Sequence, residues 1–438
     1  MRPIHLALLT LIVMYAATTG LGAVLFTTGF GRDQLQIFMD AHRVPFEAMT
    51  TLGSPLYWVL LLSLAVITPI VALVTELAAV HFVAERTPVD IPTWMPIAIS
   101  AILVAWCSYK LAEGGALIPY DLLDRSVDFS EKMQRRVELM NLLGNQYYGF
   151  AYSSLPVIAS FLLAKGILQK DRLAFGAFWI LSAIMVWLDI VILMKAPIII
   201  YVGLVALTMI LSGYGWIRSL AITAPIAIVI FYSLSLVQFS ARELTEREIS
   251  RPATPPAAQA AEVPDPSYRG KPPLDANRAV TLVRNATLRM ASSFPYYVQA
   301  FADPSERCGL ELPPIGPLPR KKCFAPIKVF HLMYPNISYV TGFAPAPANV
   351  SAYAELGLGY SFVVTIICGA IIGVLAFLAR GRGPLAVSLG TAACIYVYYV
   401  TQVSLTASLI DSYGLLYLLL PIVAMALIGR FFGRPVQR

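Results

Sequence analysis

The chain has 438 residues, of which 58% are hydrophobic and only 13% charged, with a mean hydropathy of +0.70 and a formal net charge of +7. That balance excludes a soluble globular enzyme with a tail and reads as an all-α polytopic membrane protein. No Gly-x-x-x-x-Gly-Lys-Ser/Thr loop, His-Glu-x-x-His or Cys-x-x-Cys occurs, so neither nucleotide hydrolysis nor a zinc centre is supported.

Apolar runs of about 20 residues, the length that crosses a bilayer, fall at 4–28, 57–83, 93–115, 148–168, 173–194, 196–213, 217–238, 357–379, 384–406 and 411–430, giving about ten transmembrane helices. The first has no small-residue cleavage site after a short apolar core and reads as a retained span, not a signal peptide. Lys and Arg stay on the cytoplasmic side. With both termini inside, the cytoplasmic pieces carry Arg2, Arg86, Lys165, Lys170, Arg172, Arg218, Arg380, Arg382, Arg430, Arg434 and Arg438 against only Glu85, Asp90 and Asp171. Residues 1–239 then hold the first seven spans with external loops at 29–56 and 116–147, residues 240–356 form one large external loop, and 357–438 hold the last three spans and a cytoplasmic tail.

In chain order, the first external loop offers Asp33 and Asp40 on one helical face, flanked by Arg32 and Arg43. Lys110 and Glu113 lie three residues apart near the outer end of the third span, a spacing at which they can pair with each other. The loop 116–147 contains a helix that starts at the capping-box-like Asp128-Phe129-Ser130-Glu131 and stops near Gly144. Arg135 and Arg136 sit in its middle, and adjacent residues diverge by 100°, so at most one points into a site. Asp189 is an acid inside the fifth span, and ionisable residues within spans mark function by default. Lys195, followed by Ala196-Pro197, stands at the outer interface, where either snorkelling or phosphate contact would hold it.

The large loop opens with charged residues from Arg242 to Arg251, passes through a Pro/Ala-rich linker over 252–273, and offers a helix over 275–294. Thr281, Asn285 and Arg289 fall within about 60° of Arg278 at 100° per residue, so one face reads Arg, Thr, Asn, Arg. That face is either a solvated surface or a place for a lipid phosphate. Pro295 is expected to end the helix. Cys308 and Cys323 both fall in this loop, close enough to pair in an oxidising compartment, and closing a loop of that size contributes roughly 3 kcal/mol.

Ten spans, an external Arg-bearing loop midway, a Lys-Ala-Pro turn between two spans, and a large external loop containing Arg-Met-Ala-Ser-Ser-Phe-Pro-Tyr-Tyr (Arg289–Tyr297) together resemble the Wzy-type O-antigen and oligosaccharide repeat-unit polymerases. So does the stretch Ser351–Tyr360, acidic and Gly-containing, that leads into the eighth span. The resemblance implies a GT-C-like glycosyltransferase of the bacterial inner membrane, with the large loop periplasmic. Such an enzyme moves a growing glycan from undecaprenyl pyrophosphate onto the next lipid-linked repeat, without a metal or other cofactor. Its partners are the lipid-linked donor and acceptor, membrane lipids and a chain-length regulator, with no nucleic acid. It also casts Tyr296 and Tyr297 as substrate-contacting residues.

In that reaction the sugar C1–O bond to pyrophosphate breaks while an acceptor hydroxyl attacks, so negative charge grows on the leaving group. Arg278, Arg289, one of Arg135 and Arg136, and Lys195 are external cations available to meet it, with Asn285 beside them, and bidentate guanidinium contacts suit phosphate. A base for the hydroxyl is sought in Glu355 and His331. Glu355 has the alternative reading of a helix-start carboxylate favoured by the macrodipole, and His331 that of a packing residue. Three other functions stay open. An O-antigen ligase uses a similar donor, and a polyprenyl-monophosphate-dependent enzyme would lean on Asp33 and Asp40. A flippase or transporter is weakened because the halves lack matching broken spans.

Overall fold

The computed structural model describes residues 2–29, 49–82, 90–116, 129–192, 195–230, 288, 291–310, 323–333, 343–381, 383–410 and 414–432, with the backbone alone for 129–137, 195–196 and 431–432. Among them every regular element is helical. Seven helical stretches are long and apolar enough to cross a membrane: Pro3–Phe26 (α1), Pro55–Phe82 (α2), Trp94–Glu113 (α3), Glu138–Leu168, Arg172–Val191 (α6), Leu358–Leu378 (α12) and Leu405–Arg430. Three shorter apolar helices, Pro197–Leu211, Trp216–Ile230 (α8) and Pro384–Val400 (α13), lie at other expected spans. The chain is therefore a multi-pass, all-helical membrane protein.

The span Glu138–Leu168 is composite. Helix α4 (Phe129–Gly149) is broken at Gly144, whose φ of 66° and ψ of 173° lie where side chains other than glycine are strained, and it leads through a π-helical turn into α5 (Leu155–Leu168). Helix α7 begins at Lys195 and runs to Leu211. At the end of the chain α14 (Leu405–Ile410) precedes α15 (Leu415–Phe432). Between α8 and α12 the described loop residues form α9 (Ser293–Ala300), α10 (Ala325–Met333) and α11 (Ala348–Leu356).

The packing is that of helices in lipid. On α2, Leu62, Val66, Ile70, Val74 and Leu77 are each more than half exposed, while Tyr57, Leu60, Leu64, Thr68, Ala72 and Glu76 are buried on the other side. Helix α5 is buried on all faces from Leu155 to Lys165 and forms the hub. At its centre the Ser160 hydroxyl meets Thr208 of α7 at 2.8 Å and donates to Thr391 of α13 at 3.2 Å. Helices α2 and α12 cross closely because Gly369 and Gly373 have no side chain. A Cβ there would lie 2.7 Å from the Thr68 carbonyl oxygen and 2.5 Å from that of Ala72, the small-xxx-small contact of membrane helices. The buried Glu76 carboxylate accepts from Arg380 Nε at 2.9 Å at the end of this crossing.

Contacts sort the helix ends into two sets. At one end, Thr93 bonds Asp171, Lys165 pairs with Asp90 at 3.6 Å and Gln169 donates to Asp90 at 3.3 Å. At the other, Tyr57 donates to the Ala23 carbonyl at 2.6 Å, Thr51 N donates to Gln299 at 3.1 Å, and Ala346 N donates to the Gln402 carbonyl at 3.2 Å. Connections that an alternating chain would place on one face thus meet at one end. The helices α9, α10 and α11 lie at the second end.

Candidate functional site

The loop helices do not float above the bundle. Phe294 of α9 packs edge-on against Tyr57 at 4.8 Å between ring centroids. Asn349 of α11 is fully buried and donates to the Leu60 carbonyl at 2.7 Å and to Ser63 Oγ at 2.9 Å. Because α2 begins at Pro55, Asn349 sits more than a turn inside its end, and α11 is sunk into the mouth of the bundle.

The segment that ends at Leu310 ties this layer together. Cys308 N donates to the Ala354 carbonyl at 2.9 Å and Gly309 N to the Glu355 carbonyl at 3.0 Å, so carbonyls that the last turn of α11 would leave unpaired are capped by another segment. A disulfide joins Cys308 to Cys323, with their Cα atoms 4.7 Å apart, and fastens this segment to the approach to α10. Lys328 of α10 pairs with Glu306 at 2.7 Å and lies over the Phe301 ring at 5.1 Å. Beside them Asp303 accepts from the Ser305 backbone N–H at 2.8 Å, which with the Ser305 hydroxyl holds its carboxyl below the usual carboxylate range.

The central cation of the layer is Arg307. Its guanidinium carbon lies 5.8 Å from the centroid of the Tyr353 ring, within range of a cation–π contact. It rests against Gly357, where an added Cβ would be 2.5 Å from Nη1 and 2.7 Å from Cζ. Gly357, at φ 94° and ψ −169°, occupies a region open essentially to glycine alone and separates α11 from α12. The Tyr353 hydroxyl interacts with the guanidinium, while among the described residues the buried Arg307 Nε, like Asn349 Oδ1 and Ser361 Oγ elsewhere on these helices, has no hydrogen-bond partner. Buried polar groups are paired in the great majority of cases, so Arg307 Nε is open to a water or a polar ligand.

Of the residues singled out by sequence, Arg278, Asn285 and Arg289 lie outside the described residues, as do Asp33 and Asp40. Arg135 and Arg136 lie in the first half of α4, before the break at Gly144, and Lys195 opens α7. Tyr296 and Tyr297 are 3% and 0% exposed, and the Tyr297 hydroxyl donates to the Ala344 carbonyl at 3.1 Å. Their position is the packed interior of the loop layer, not its surface. Pro295 does not end a helix but sits in the first turn of α9, where its missing N–H has no partner to lose. Glu355 does not head α12. It lies in the last turn of α11, half-buried, where the macrodipole does not favour a carboxylate. His331 is on an exposed face of α10. Lys110 and Glu113 pair at 2.7 Å.

A second feature at this end is a cavity of about 170 Å³ between α5, α6, α7 and α13, lined among others by Tyr152, Asp189, Tyr201, Tyr398 and Gln402. It adjoins the loop layer through the bond from Ala346 to Gln402. Asp189 is 4% exposed and has no hydrogen bond or ion pair among the described residues. No group of three or more His, Cys, Asp or Glu side chains among the described residues is placed to hold a metal ion. Sequence reasoning did not reach Arg307, although its place next to Cys308 ties it to the one cross-link in the loop. No protein-family model, curated protein or solved structure matches the chain.

Proposed function

We propose that this chain is a lipid-carrier-dependent glycosyltransferase of the bacterial inner membrane that polymerises undecaprenyl-pyrophosphate-linked oligosaccharide repeats, the units of O-antigen or exopolysaccharide, on the periplasmic side. The reading rests on the resemblance in layout and on one observation above all. Arg307 is held at the mouth of the helical bundle by a glycine cradle, an aromatic face and a neighbouring disulfide, and its buried Nε has no hydrogen-bond partner among the described residues. A guanidinium fixed at the level of lipid headgroups suits a pyrophosphate.

In this mechanism the donor pyrophosphate lies against Arg307, with Arg278 and Arg289 as further loop cations for donor and acceptor. As an acceptor hydroxyl attacks C1, the C1–O bond breaks and its electrons pass to the pyrophosphate, where preorganised cations lower the barrier. Glu355, on the turn that abuts the Arg307–Gly309 segment, takes the hydroxyl proton. His331, exposed on α10, is the weaker choice for that role. Both termini and the Lys165–Asp90 end of the bundle face the cytoplasm in this scheme.

The glycan profile of a cell lacking the gene tests the reading. Single repeat units on the acceptor support it. Full polymer left on the carrier would assign a ligase instead, and the absence of any glycan outside would assign a flippase.

A further inference from the structure

The cavity beside the loop layer has a composition that the phosphate-binding arrangement does not use. Tyrosine rings from the π-helical turn before α5, from α7 and from α13 (Tyr152, Tyr201, Tyr398 and Tyr399) line it, with a single carboxyl among the described lining residues, Asp189 of α6, and Gln402 at the end next to α11. Asp189 lies one turn from the end of α6, and Pro197 of the cavity wall one turn from the start of α7, so the cavity is at the same end as the loop helices. An acid buried in a membrane span with no partner among the described residues is costly, and such residues mark functional sites by default. A Tyr201 hydroxyl within 2.5 Å of Ser182 Oγ fixes one wall.

The chemistry of the lining narrows the occupant. A phosphate or other anion would meet the Asp189 carboxyl and no cation among the described lining residues. A divalent metal prefers six or more oxygen ligands, and no cluster of acidic or histidine side chains among the described residues supplies them. A purely apolar chain would leave the buried carboxyl unpaired, at a cost of roughly 1–3 kcal/mol or more. A neutral pyranose ring meets each demand. Its C–H faces lie on tyrosine rings, and a carboxyl in either protonation state bonds a pair of vicinal hydroxyls. The volume of about 170 Å³ is below the roughly 300–1,000 Å³ of a drug-sized pocket, room for a single ring and not for an oligosaccharide.

We infer that this cavity is a saccharide subsite that takes one neutral pyranose ring, with Asp189 as its hydrogen-bonding anchor. This rests on the glycosyltransferase reading, in which the ring belongs to a lipid-linked repeat whose pyrophosphate lies at Arg307.

The test reads binding without turnover. The full-length chain in lipid nanodiscs, which keeps glycoside detergents out, is mixed with a panel of methyl pyranosides, namely the glucoside, galactoside, mannoside and N-acetylglucosaminide. Saturation transfer from protein to sugar is recorded by NMR. Wild type should give transfer to at least one of them, and the signal should be lost in Asp189→Leu, which removes the hydrogen-bonding group, and in Leu204→Phe, which narrows the cavity from the α7 wall without touching the carboxyl. Each variant is first checked by size exclusion and thermal melting, and if Asp189→Leu does not fold, Leu204→Phe decides alone. No transfer to any sugar, or transfer that persists in a folded variant, overturns the subsite. Sugar binding through Asp189 in a chain whose loss leaves polymer unchanged would keep the subsite and sink the polymerase reading.

Discussion

Gly357→Ala probes the Arg307 contact from the opposite side, leaving the arginine itself in place. Two costs follow from the geometry. The backbone at φ 94° and ψ −169° is open essentially to glycine, and a side chain there is strained by about 1–3 kcal/mol. The new Cβ would also stand 2.5 Å from Arg307 Nη1, so the guanidinium must retreat by about 1 Å to reach ordinary contact. Misplacement of a positioning group on that scale costs on the order of 100-fold in rate. Gly357→Ala should therefore lose up to about 100-fold in polymerisation as well as melting earlier. Arg307→Ala should lose about 2–4 kcal/mol of transition-state stabilisation, and Arg307→Lys should recover only part because it lacks the planar fork. Gly359→Ala, where no atom lies within 4 Å of the new Cβ, is the control. Polymer length on gels at matched protein level, with thermal melting of the purified variants, measures both effects. Full-length polymer from stable Gly357→Ala and Arg307→Ala variants would refute the role given to this guanidinium.

Other expectations are independent of that contact. Alkylation before and after reduction should reveal Cys308 and Cys323 together, and serine at either should lower stability by roughly 3 kcal/mol; labelling of both without reductant contradicts the bridge. Gly373→Ala should lower the melting point at a cost of about 1–3 kcal/mol, because its Cβ would press on the Ala72 carbonyl, and an unchanged melting point would mean that α2 and α12 do not cross this closely. Arg278→Ala and Arg289→Ala should shorten polymer at unchanged protein level while Arg284→Ala stays near wild type, since at 100° per residue the helix expected from the sequence puts Arg284 about 120° away; equal activity in all three makes that face a solvated surface. Reporter fusions after Lys170 should read cytoplasmic and fusions near Pro264 periplasmic, and the reverse would invert the topology.

The helical, multi-pass character was legible because an apolar run of spanning length needs no tertiary information. The run placed at 57–83 is the helix Pro55–Phe82, and that at 357–379 is Leu358–Leu378. Boundaries erred where a local rule met a tertiary one. Pro295 looked like a terminator, yet the chain restarts as α9 around it. Glu355 looked like the first turn of a span, but Gly357 turns the chain after it and gives Glu355 to the preceding helix. The resemblance cast Tyr296 and Tyr297 as substrate-contacting residues, and the fold buries both rings in the loop layer, which a short matching stretch of sequence does not reveal. Beyond its place next to Cys308, Arg307 left no trace in any pattern, since its setting is made by residues about 50 positions away, Tyr353 and Gly357. Glu76 was passed over within an apolar run, and only the fold brings Arg380 to it.

The most direct test of the central claim is reconstitution of the purified chain in lipid nanodiscs with undecaprenyl-pyrophosphate-linked repeat units, the products being resolved by chain length. The account predicts a ladder of lipid-linked polymer with release of undecaprenyl pyrophosphate, lost in Arg307→Ala. Repeat units left as monomers by the wild-type chain, under conditions in which it is folded and binds the lipid, would contradict it.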